Sequence, residues 1–226
     1  MILNNNISFV MISMNEEKAV KKVLSDLSEK YPDSEIIIVD SSNDQTPNII
    51  KQFKNVKMIR QYPPIGYGPA MHLALKSASK EFIITLDCDD TYPIEHVDEF
   101  KEINSNLQYD IIDGSRLKNR PKNMKIINYI ANYGFALLAS ILFLKRMTDL
   151  HSGMRMYKRD LINELKWNFK GPALPVELLL KPLKKNKKIY FHFINYNERK
   201  GESTLDPLPS AWWTLKRIIN CRLYAE

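Results

Sequence analysis

Cysteine is nearly absent from this chain of 226 residues, which contains only Cys88 and Cys221. Two cysteines cannot build the disulfide framework of a small secreted domain, so we expect a reducing compartment that faces the cytosol. The first ten residues, MILNNNISFV, have neither the basic region nor the long apolar region of a secretory signal. Glycine is also scarce, with seven residues, which excludes collagen-like and low-complexity classes.

Several common binding and catalytic motifs are missing as well. The four histidines have no zinc-ligand spacing, so a zinc site is not expected. The chain contains neither the G-x-S-x-G motif of serine hydrolases nor the G-x-x-x-x-G-K-[ST] motif of a P-loop. Aromatic and basic residues do not interleave as they do in an RNA-recognition motif, so we expect no nucleic-acid partner.

The composition that remains is that of a globular protein, with 44% apolar and 26% charged residues. The net charge of +7 is spread unevenly. Residues 1–150 hold 18 Lys and Arg against 19 Asp and Glu, whereas residues 151–226 hold 15 against 7. This distribution predicts an anionic partner near the C-terminal third, or else a basic face that is merely solvated.

Apolar β-branched runs alternate with helical patterns in the first half of the chain. Such runs are typical of strands buried on both faces, and helices between them predict an α/β fold with a mostly parallel sheet. Ligands bind at the carboxyl ends of such strands, so the polar residues that follow the runs should share one edge. The predicted strands are 7–13, 35–40, 56–60, 82–86, 109–114 and 188–195, and the predicted helices are 15–30, 46–53, 69–79 and 172–185.

The second half contains 19 uncharged residues, 126–144, between Lys125 and Lys145. Their number would suffice for a membrane span, but the polar residues within the run favour an interfacial or core-packed helix. Residues 211–224 combine Trp with Lys and Arg, as in a helix at a membrane interface, although a helix packed on the sheet fits equally. We therefore predict one domain over 1–210, with the apolar helix 126–145 inside it, followed by an amphipathic helix over 211–226.

The strongest chemical signal is Asp87-Cys88-Asp89-Asp90, directly after a buried strand. Three carboxylates in four residues repel one another unless a cation compensates them. Oxygen ligands of this kind suit Mg²⁺ or Mn²⁺, which could bridge the protein and a diphosphate. The alternative is a solvated acidic turn whose carboxylates cap a helix.

Three other positions are weaker candidates on their own. Asp40 could bind a ribose or a base, as an acidic residue does after a Rossmann strand, or it could cap the next helix. Gly66 and Gly68 precede a helix and would let the backbone approach an anion, or they could form a plain loop. Arg155 and Arg199 each lie near Gly and small polar residues and are suited to phosphate, although a single surface Arg would look the same.

In order along the chain, these segments resemble the motifs of family 2 glycosyltransferases with the GT-A fold, and most of all the branch that glycosylates dolichyl or polyprenyl phosphate with mannose or glucose. The resemblance covers about 7–215 and is carried by S-x-N-E-E, V-D-S-S-x-D-x-T, G-Y-G-x-A, L-D-x-D-x-x-x-P, D-G-S-R, D-x-x-S-G-x-R and E-R-x-G-E-S. Three positions depart from the usual pattern, namely Ser13 in place of Pro, Ile65 in place of Arg, and Thr91 where many mannosyltransferases have Gln.

The resemblance implies a role for each matching residue. The implied donor-nucleotide residues are Ser13, Asn15, Glu17, Asp40, Gly68, Asp87 and Cys88. The implied ligands of a Mg²⁺ or Mn²⁺ ion are Asp87 and Asp89. The implied contacts to the sugar, the diphosphate or the acceptor phosphate are Arg116, Ser152, Arg155, Arg199 and Ser203. The implied catalytic residues are Asp89, Arg155 and Arg199.

The function implied is that of an inverting enzyme that moves a hexose from a GDP- or UDP-sugar to a polyprenyl phosphate, at the cytoplasmic face of a membrane. A phosphate acceptor is already anionic near pH 7, with a second pKa of about 6, and needs no general base. A hydroxyl acceptor in the synthesis of a cell-surface glycan is the alternative, and Asp149 is then the candidate base. A non-catalytic module that binds nucleotide or membrane is the second alternative.

Overall fold

The computed structural model describes residues 2–122, 124–200 and 207–224. After a short 3₁₀ turn, strands and helices alternate over most of this part of the chain. The strands are β1 (Ile7–Ser13), β2 (Glu35–Asp40), β3 (Val56–Arg60), β4 (Phe82–Thr85), β5 (Ile111–Ser115), β6 (Arg155–Lys158) and β7 (Ile189–Phe193). The helices are α1 (Val20–Lys30), α2 (Thr46–Ile50), α3 (Tyr67–Lys76), α4 (His96–Leu107), α5 (Ile126–Phe143), α6 (Arg159–Glu164), α7 (Leu174–Lys184) and α8 (Pro207–Tyr224).

All seven strands form one sheet in the order β3-β2-β1-β4-β6-β5-β7. β1 pairs in parallel with β2 and β4, β2 with β3, and β5 with β7. Only β6 is antiparallel to its neighbours β4 and β5. The carboxyl ends of β1, β2, β4 and β5 therefore lie along one edge, as the sequence predicts, and the predicted α/β fold is confirmed.

Several elements differ from the sequence-based prediction. α4, β6 and α6 were not predicted, and β6 escaped notice because its four residues, RMYK, carry no apolar run. α1 begins at Val20 and not at residue 15, because Asn15 has a left-handed φ of 62° that breaks the helix before it can form. The N-cap of α1 is Ala19, and Asn15 lies in the loop before the helix.

The core has three parts. Alternate side chains of β1 and β2 pack on one face of the sheet against α1, and the opposite face packs against α3 and α7. A third cluster lies outside the sheet, where α5, α7 and α8 meet through small and apolar residues such as Ala139, Leu179 and Ile218. The second half of the chain therefore adds a layer of helices that packs through its own apolar cluster.

α5 is the least buried of the long apolar segments. Only 11% of it is buried, and it is long and apolar enough to cross a membrane by length and composition. One face of α5 packs into the third cluster through Ala136 and Ala139, while the opposite face carries a continuous row of exposed side chains. That row consists of Ile126, Ile130, Tyr133, Leu137, Ile141 and, just beyond the helix, Leu144.

Candidate active site

The acidic turn after β4 holds its carboxylates in different surroundings. Asp89 is 1% exposed, and its Oδ1 accepts hydrogen bonds from the amide and the hydroxyl of Thr91, at 3.1 and 2.6 Å. Asp90 turns outward and pairs with Lys22 at 2.8 Å and with Lys200 at 2.7 Å. Asp90 is therefore already neutralised, whereas the Oδ2 atom of Asp89 accepts no hydrogen bond from any described residue.

Asp87 is held against a glycine. A Cβ on Gly153 would lie 2.8 Å from Asp87 Oδ2, so only glycine leaves room for the carboxylate. The amide of Gly153 donates a hydrogen bond of 2.7 Å to the Tyr92 hydroxyl, which fixes the backbone at that point. Burial and the neighbouring Asp89 raise the pKa of Asp87, although Arg116 and Arg199 act in the opposite direction.

Glu16, in the loop after β1, joins these two carboxylates and was not predicted. Its side chain is buried, its Oε1 lies 2.5 Å from Arg199 Nη2, and its Oε2 has no hydrogen-bond partner among the described residues. Burial raises the pKa of Glu16 to about 7, with a further contribution from Asp89 and an opposing one from Arg199. The sequence-based prediction named Glu17 instead, as a residue that binds the donor nucleotide, and Glu17 accepts a hydrogen bond of 3.1 Å from the Gln45 amide, before α2.

Asp87, Asp89 and Glu16 together fit a divalent cation. They offer carboxylate oxygens only, which suits Mg²⁺ or Mn²⁺, and two of these oxygens are buried without a hydrogen-bond partner. A buried oxygen with no partner is unfavourable unless a ligand satisfies it. Burial is the main cause of the raised pKa values of Glu16 and Asp87, and the charge of Asp89 adds to both.

Elsewhere, His96, Glu99 and His192 form a cluster whose potential metal-ligand atoms all lie within 4.8 Å of one another, a criterion that Asp87, Asp89 and Glu16 do not meet. His96 Nε2 accepts a hydrogen bond of 2.9 Å from the Asn195 amide, which places the ring proton on Nδ1. That Nδ1 is 2.9 Å from the Glu99 carboxylate and donates to it, so it has no lone pair for a metal. The cluster is thus a hydrogen-bonded connection between α4 and β7.

The loops after β1 and β2 form the adjoining part of the edge. Asp40 is fully buried and accepts hydrogen bonds from Ser13 Oγ at 2.8 Å and Ser42 Oγ at 2.6 Å, while Arg60 pairs with its second oxygen. Asn15 Oδ1 accepts a hydrogen bond of 2.9 Å from the following loop, at Asn43. Arg60 was missed by sequence reasoning because it ends an unremarkable strand, yet it is the exposed member of this group.

Arg116 and Asp149 form a bidentate pair beside the acidic turn, with nitrogen–oxygen distances of 2.7 and 3.0 Å. Burial raises the pKa of Asp149, but the Arg116 guanidinium outweighs it and brings the pKa to about 2. A carboxylate with so low a pKa and both oxygens occupied is a poor proton acceptor. The geometry therefore argues against Asp149 as a general base.

Arg155 is buried in a way that conflicts with its predicted contact to phosphate. It is 1% exposed, pairs with Asp113, and donates further hydrogen bonds to backbone carbonyls that include Leu150 and Pro175. No donor is left for a ligand, because each side-chain nitrogen already has a partner within the protein. Arg155 fastens β6 to β5 and to the start of α7, and the structure gives it no role in phosphate binding.

Three further predicted residues lie near the site without exposing their side chains to it. The Cys88 side chain belongs to the buried core, and burial raises its pKa well above the usual range. The space beside Gly68 is filled by the backbone of Phe169 and is not open to a ligand, since a Cβ at Gly68 would lie 1.8 Å from the Phe169 carbonyl oxygen. Ser152 is buried and donates its hydroxyl to the Gly114 carbonyl. Ser203 lies outside the described residues.

Comparisons with known proteins agree with this geometry. A dolichyl-phosphate hexose transferase of Haloferax volcanii is 36% identical over 217 residues, which cover 95% of this chain and 93% of that protein. A UDP-N-acetylglucosamine–dolichyl-phosphate N-acetylglucosaminyltransferase of Methanococcus voltae is 26% identical over 182 residues, which cover 70% of this chain and 72% of that protein.

Among solved structures, glucosyl-3-phosphoglycerate synthase of Mycobacterium tuberculosis in complex with Mn²⁺, UDP-glucose and phosphoglyceric acid shares the fold. Its TM-score is 0.75 at 16% identity, and the match covers 96% of this chain and 79% of that one. The family model described as glycosyl transferase family 2 matches residues 8–166, most of the sheet and all of the acidic turn. The chain therefore belongs to glycosyl transferase family 2.

Proposed function

We propose that this protein transfers a hexose from a nucleotide diphosphate sugar to a dolichyl-type polyprenyl phosphate at a membrane surface. The observation that carries the proposal is the Arg116–Asp149 pair, which lies beside the acidic turn and joins the two ends of residues 117–148. These residues include α5 with its exposed apolar row. The pair thus holds both ends of the segment that carries this apolar surface next to the candidate metal site.

The donor side of the reaction needs charge neutralisation. Asp87, Asp89 and Glu16 would hold Mg²⁺ or Mn²⁺, which stabilises the negative charge that develops on a departing nucleotide diphosphate. The loops after β1 and β2 would bind the nucleotide, with Arg60 and Asn15 at the exposed side of the Asp40 network. The Methanococcus voltae relative, whose name includes UDP-N-acetylglucosamine, and the Mycobacterium tuberculosis structure with UDP-glucose and Mn²⁺ support this assignment.

The acceptor side favours a phosphate over a hydroxyl group. A lipid phosphate is already anionic at neutral pH and attacks without a general base. Asp149, the candidate base for a hydroxyl acceptor, is bound to Arg116 and has a pKa of about 2. The name of the Haloferax volcanii relative points to the same acceptor.

The surroundings of α5 suit an anionic membrane. No Asp or Glu occurs between Asp113 and Asp149. Six exposed cations flank the helix and would meet anionic lipid headgroups while the apolar row enters the interface. They are Lys118, Arg120, Lys122, Lys125, Lys145 and Arg146. We infer a peripheral location on the cytoplasmic face, since sugar nucleotides are cytosolic donors.

Transfer of labelled sugar from UDP-glucose and GDP-mannose tests the activity, with Mg²⁺, Mn²⁺ or EDTA and with dolichyl phosphate or water-soluble hydroxyl compounds as acceptors. We expect transfer to dolichyl phosphate that requires a divalent cation and falls at least about 100-fold in Asp89→Asn. Asp90→Asn is the matched control, because Asp90 faces Lys22 and Lys200. Transfer to hydroxyl acceptors alone would support the alternative acceptor, and no turnover with any donor would support a non-catalytic module.

Sedimentation with vesicles tests the membrane contact. Binding to vesicles that contain anionic phospholipid should weaken at least about tenfold in the double variant Ile130→Ser with Leu137→Ser, because both side chains lie on the exposed row. The thermal stability of this variant should match that of the wild type, since neither side chain is buried. Unchanged vesicle binding would contradict the proposed contact.

A further inference from the structure

Arg199 occupies the middle of the candidate metal site. Its Nη1 lies 2.8 Å from Asp89 Oδ2 and its Nη2 lies 2.5 Å from Glu16 Oε1, so one guanidinium joins the two carboxylates that a divalent cation would join. The contact to Asp89 is close but does not form a hydrogen bond, and the Nε atom of Arg199 is buried without a partner. The guanidinium is therefore present as a cation without satisfying all the polar atoms around it.

The backbone that carries Arg199 lies along the acidic turn. The Asn197 amide donates to the Thr91 carbonyl at 2.8 Å, and the Lys200 amide donates to the Asp89 carbonyl at 3.3 Å. These two contacts place Arg199 over the turn whether or not its guanidinium is bound to the carboxylates. The side chain itself is 33% exposed, which leaves it a route out of the site.

A divalent cation cannot share this position with Arg199. Like charges repel strongly at contact distance, and a divalent ion repels the guanidinium twice as strongly as a monovalent ion would. The cation therefore has to displace the guanidinium from Asp89 and Glu16. A nucleotide diphosphate that arrives with the cation offers a new anionic partner to the displaced side chain, whereas a free cation offers none.

We propose that Arg199 is a tethered competitor of the divalent cation and makes this protein select the metal–nucleotide complex over the free metal. The inference rests on the metal site of the proposed function and adds a specificity role for one residue. It predicts weak binding of free Mn²⁺ in the wild type and much tighter binding when a nucleotide diphosphate is present. Removal of the charge at position 199 should strengthen the binding of free Mn²⁺ and weaken the binding of the nucleotide. The Mn²⁺ affinities with and without nucleotide should therefore differ less.

Free Mn²⁺ measured by electron paramagnetic resonance during titration of the full-length protein tests this. Without nucleotide, Arg199→Gln and Arg199→Met should bind Mn²⁺ at least about tenfold more tightly than the wild type, because the competing cation is gone. With UDP or GDP present, whichever the wild type binds, both variants should bind the nucleotide more weakly than the wild type. Lys200→Gln is the matched control: it removes a neighbouring cation that pairs with Asp90, and its Mn²⁺ affinity should change less than about threefold.

The outcomes separate this inference from the proposed function. Equal or weaker Mn²⁺ binding by both Arg199 variants, with normal binding by the wild type, would overturn the competitor role and leave the metal site intact. An equal gain in Lys200→Gln would also overturn it, since a general loss of positive charge would then explain the effect. Failure of every protein to bind Mn²⁺, with or without nucleotide, would refute the metal site itself and this inference with it.

Discussion

Two clusters of buried charge lie on neighbouring strand ends of this protein, and they are built in opposite ways. In the Arg116–Asp149 and Arg155–Asp113 pairs each carboxylate has its own guanidinium, and the two arginines donate their hydrogen bonds to groups of the protein. Around Asp89, by contrast, the guanidinium of Arg199 pairs with both Asp89 and Glu16, while Asp87 forms no ion pair with a described residue and feels Arg116 and Arg199 only at a distance.

The difference separates structural from functional charge. A buried charge that is matched within the protein stabilises the fold and is unavailable to a ligand. A group of carboxylates with fewer cations than negative charges is unstable until a ligand supplies the missing charge. A raised pKa alone does not identify such a group, because burial also raises the pKa of Asp113 although Arg155 pairs with it. Composition alone does not distinguish the two clusters, because both contain Asp and Arg after apolar runs.

The largest effect should follow from breaking a matched pair. Arg155→Met leaves Asp113 buried without a partner and should lower the free energy of unfolding by about 3–5 kcal/mol in a urea titration. Arg199→Met, the same substitution in the other cluster, should change it by less than about 1 kcal/mol, because that side chain is one-third exposed. The double variant Asp113→Asn with Arg155→Met should recover part of the loss, and similar losses in Arg155→Met and Arg199→Met would refute the distinction.

Acid should weaken the matched cluster. The pKa of Asp149 is about 2 in the folded protein, below its usual value of 3.8, so its contribution to stability is present above pH 4 and is lost as the pH falls toward 2. The difference corresponds to about 2 kcal/mol at 1.36 kcal/mol per pH unit. Asp149→Asn should therefore be less stable than the wild type at pH 6 by about this amount and should differ little from it near pH 2, as urea titrations at the two values would show. Equal stability of the two proteins at pH 6 would contradict the pairing.

A methyl group should disturb the functional cluster at Gly153. Gly153→Ala places a Cβ against the Asp87 carboxylate and should reduce Mn²⁺ affinity and sugar transfer by about 10- to 100-fold, as loss of support for a metal ligand usually does. Gly134→Ala in α5 is the matched control, because nothing lies within 4 Å of its added Cβ. That variant should keep full activity and gain up to about 1 kcal/mol of stability from its higher helix propensity. Normal activity in Gly153→Ala would show that Asp87 does not depend on this position.

The smallest effect should come from removal of an unmatched charge. The pKa of Glu16 is about 7 in the metal-free protein, above its usual 4.5, so its ionisation lowers stability as the pH rises from about 4.5 to 7. Glu16→Gln should therefore stabilise the metal-free protein at pH 8, the opposite sign to Asp149→Asn, but only by about 1 kcal/mol, because the substitution also removes the ion pair with Arg199 and this loss offsets most of the gain. The same variant should bind Mn²⁺ more weakly. Thermal unfolding with EDTA at pH 5 and pH 8 measures the first effect, and a loss of stability at pH 8 would contradict it.

The sequence predicts the first half of the fold well because its signals are local. The apolar runs that end at Ser13 and Asp40 have the composition of buried parallel strands, and the structure places both strands as predicted. The antiparallel strand β6 could not be predicted in the same way. Its pairing with β4 and β5 depends on contacts between distant residues, and its own sequence has no strand pattern.

The candidate site shows the same limit in its side chains. The motif around Asp89 indicates a cation, and the sequence predicts a role for Glu17, in nucleotide binding, but none for Glu16. Only the path of the loop after β1 brings Glu16 to Arg199 while Glu17 accepts a hydrogen bond from Gln45. Arg155 and Arg199 have similar neighbours in sequence. Only the packing of β6 between two strands buries Arg155, and only the path of the segment after β7 brings Arg199 to the acidic turn.

The sequence by itself thus determined the fold class, the common edge of the strand ends, the acidic turn and the uncharged helix, because each depends on residues that are close together along the chain. The tertiary structure decided which charges are matched and which remain available, and it left the apolar row of α5 exposed. The physical reason is that long-range packing sets both the burial of each charge and the distances between charges. These two quantities determine whether a carboxylate is paired within the protein or remains available to bind a ligand.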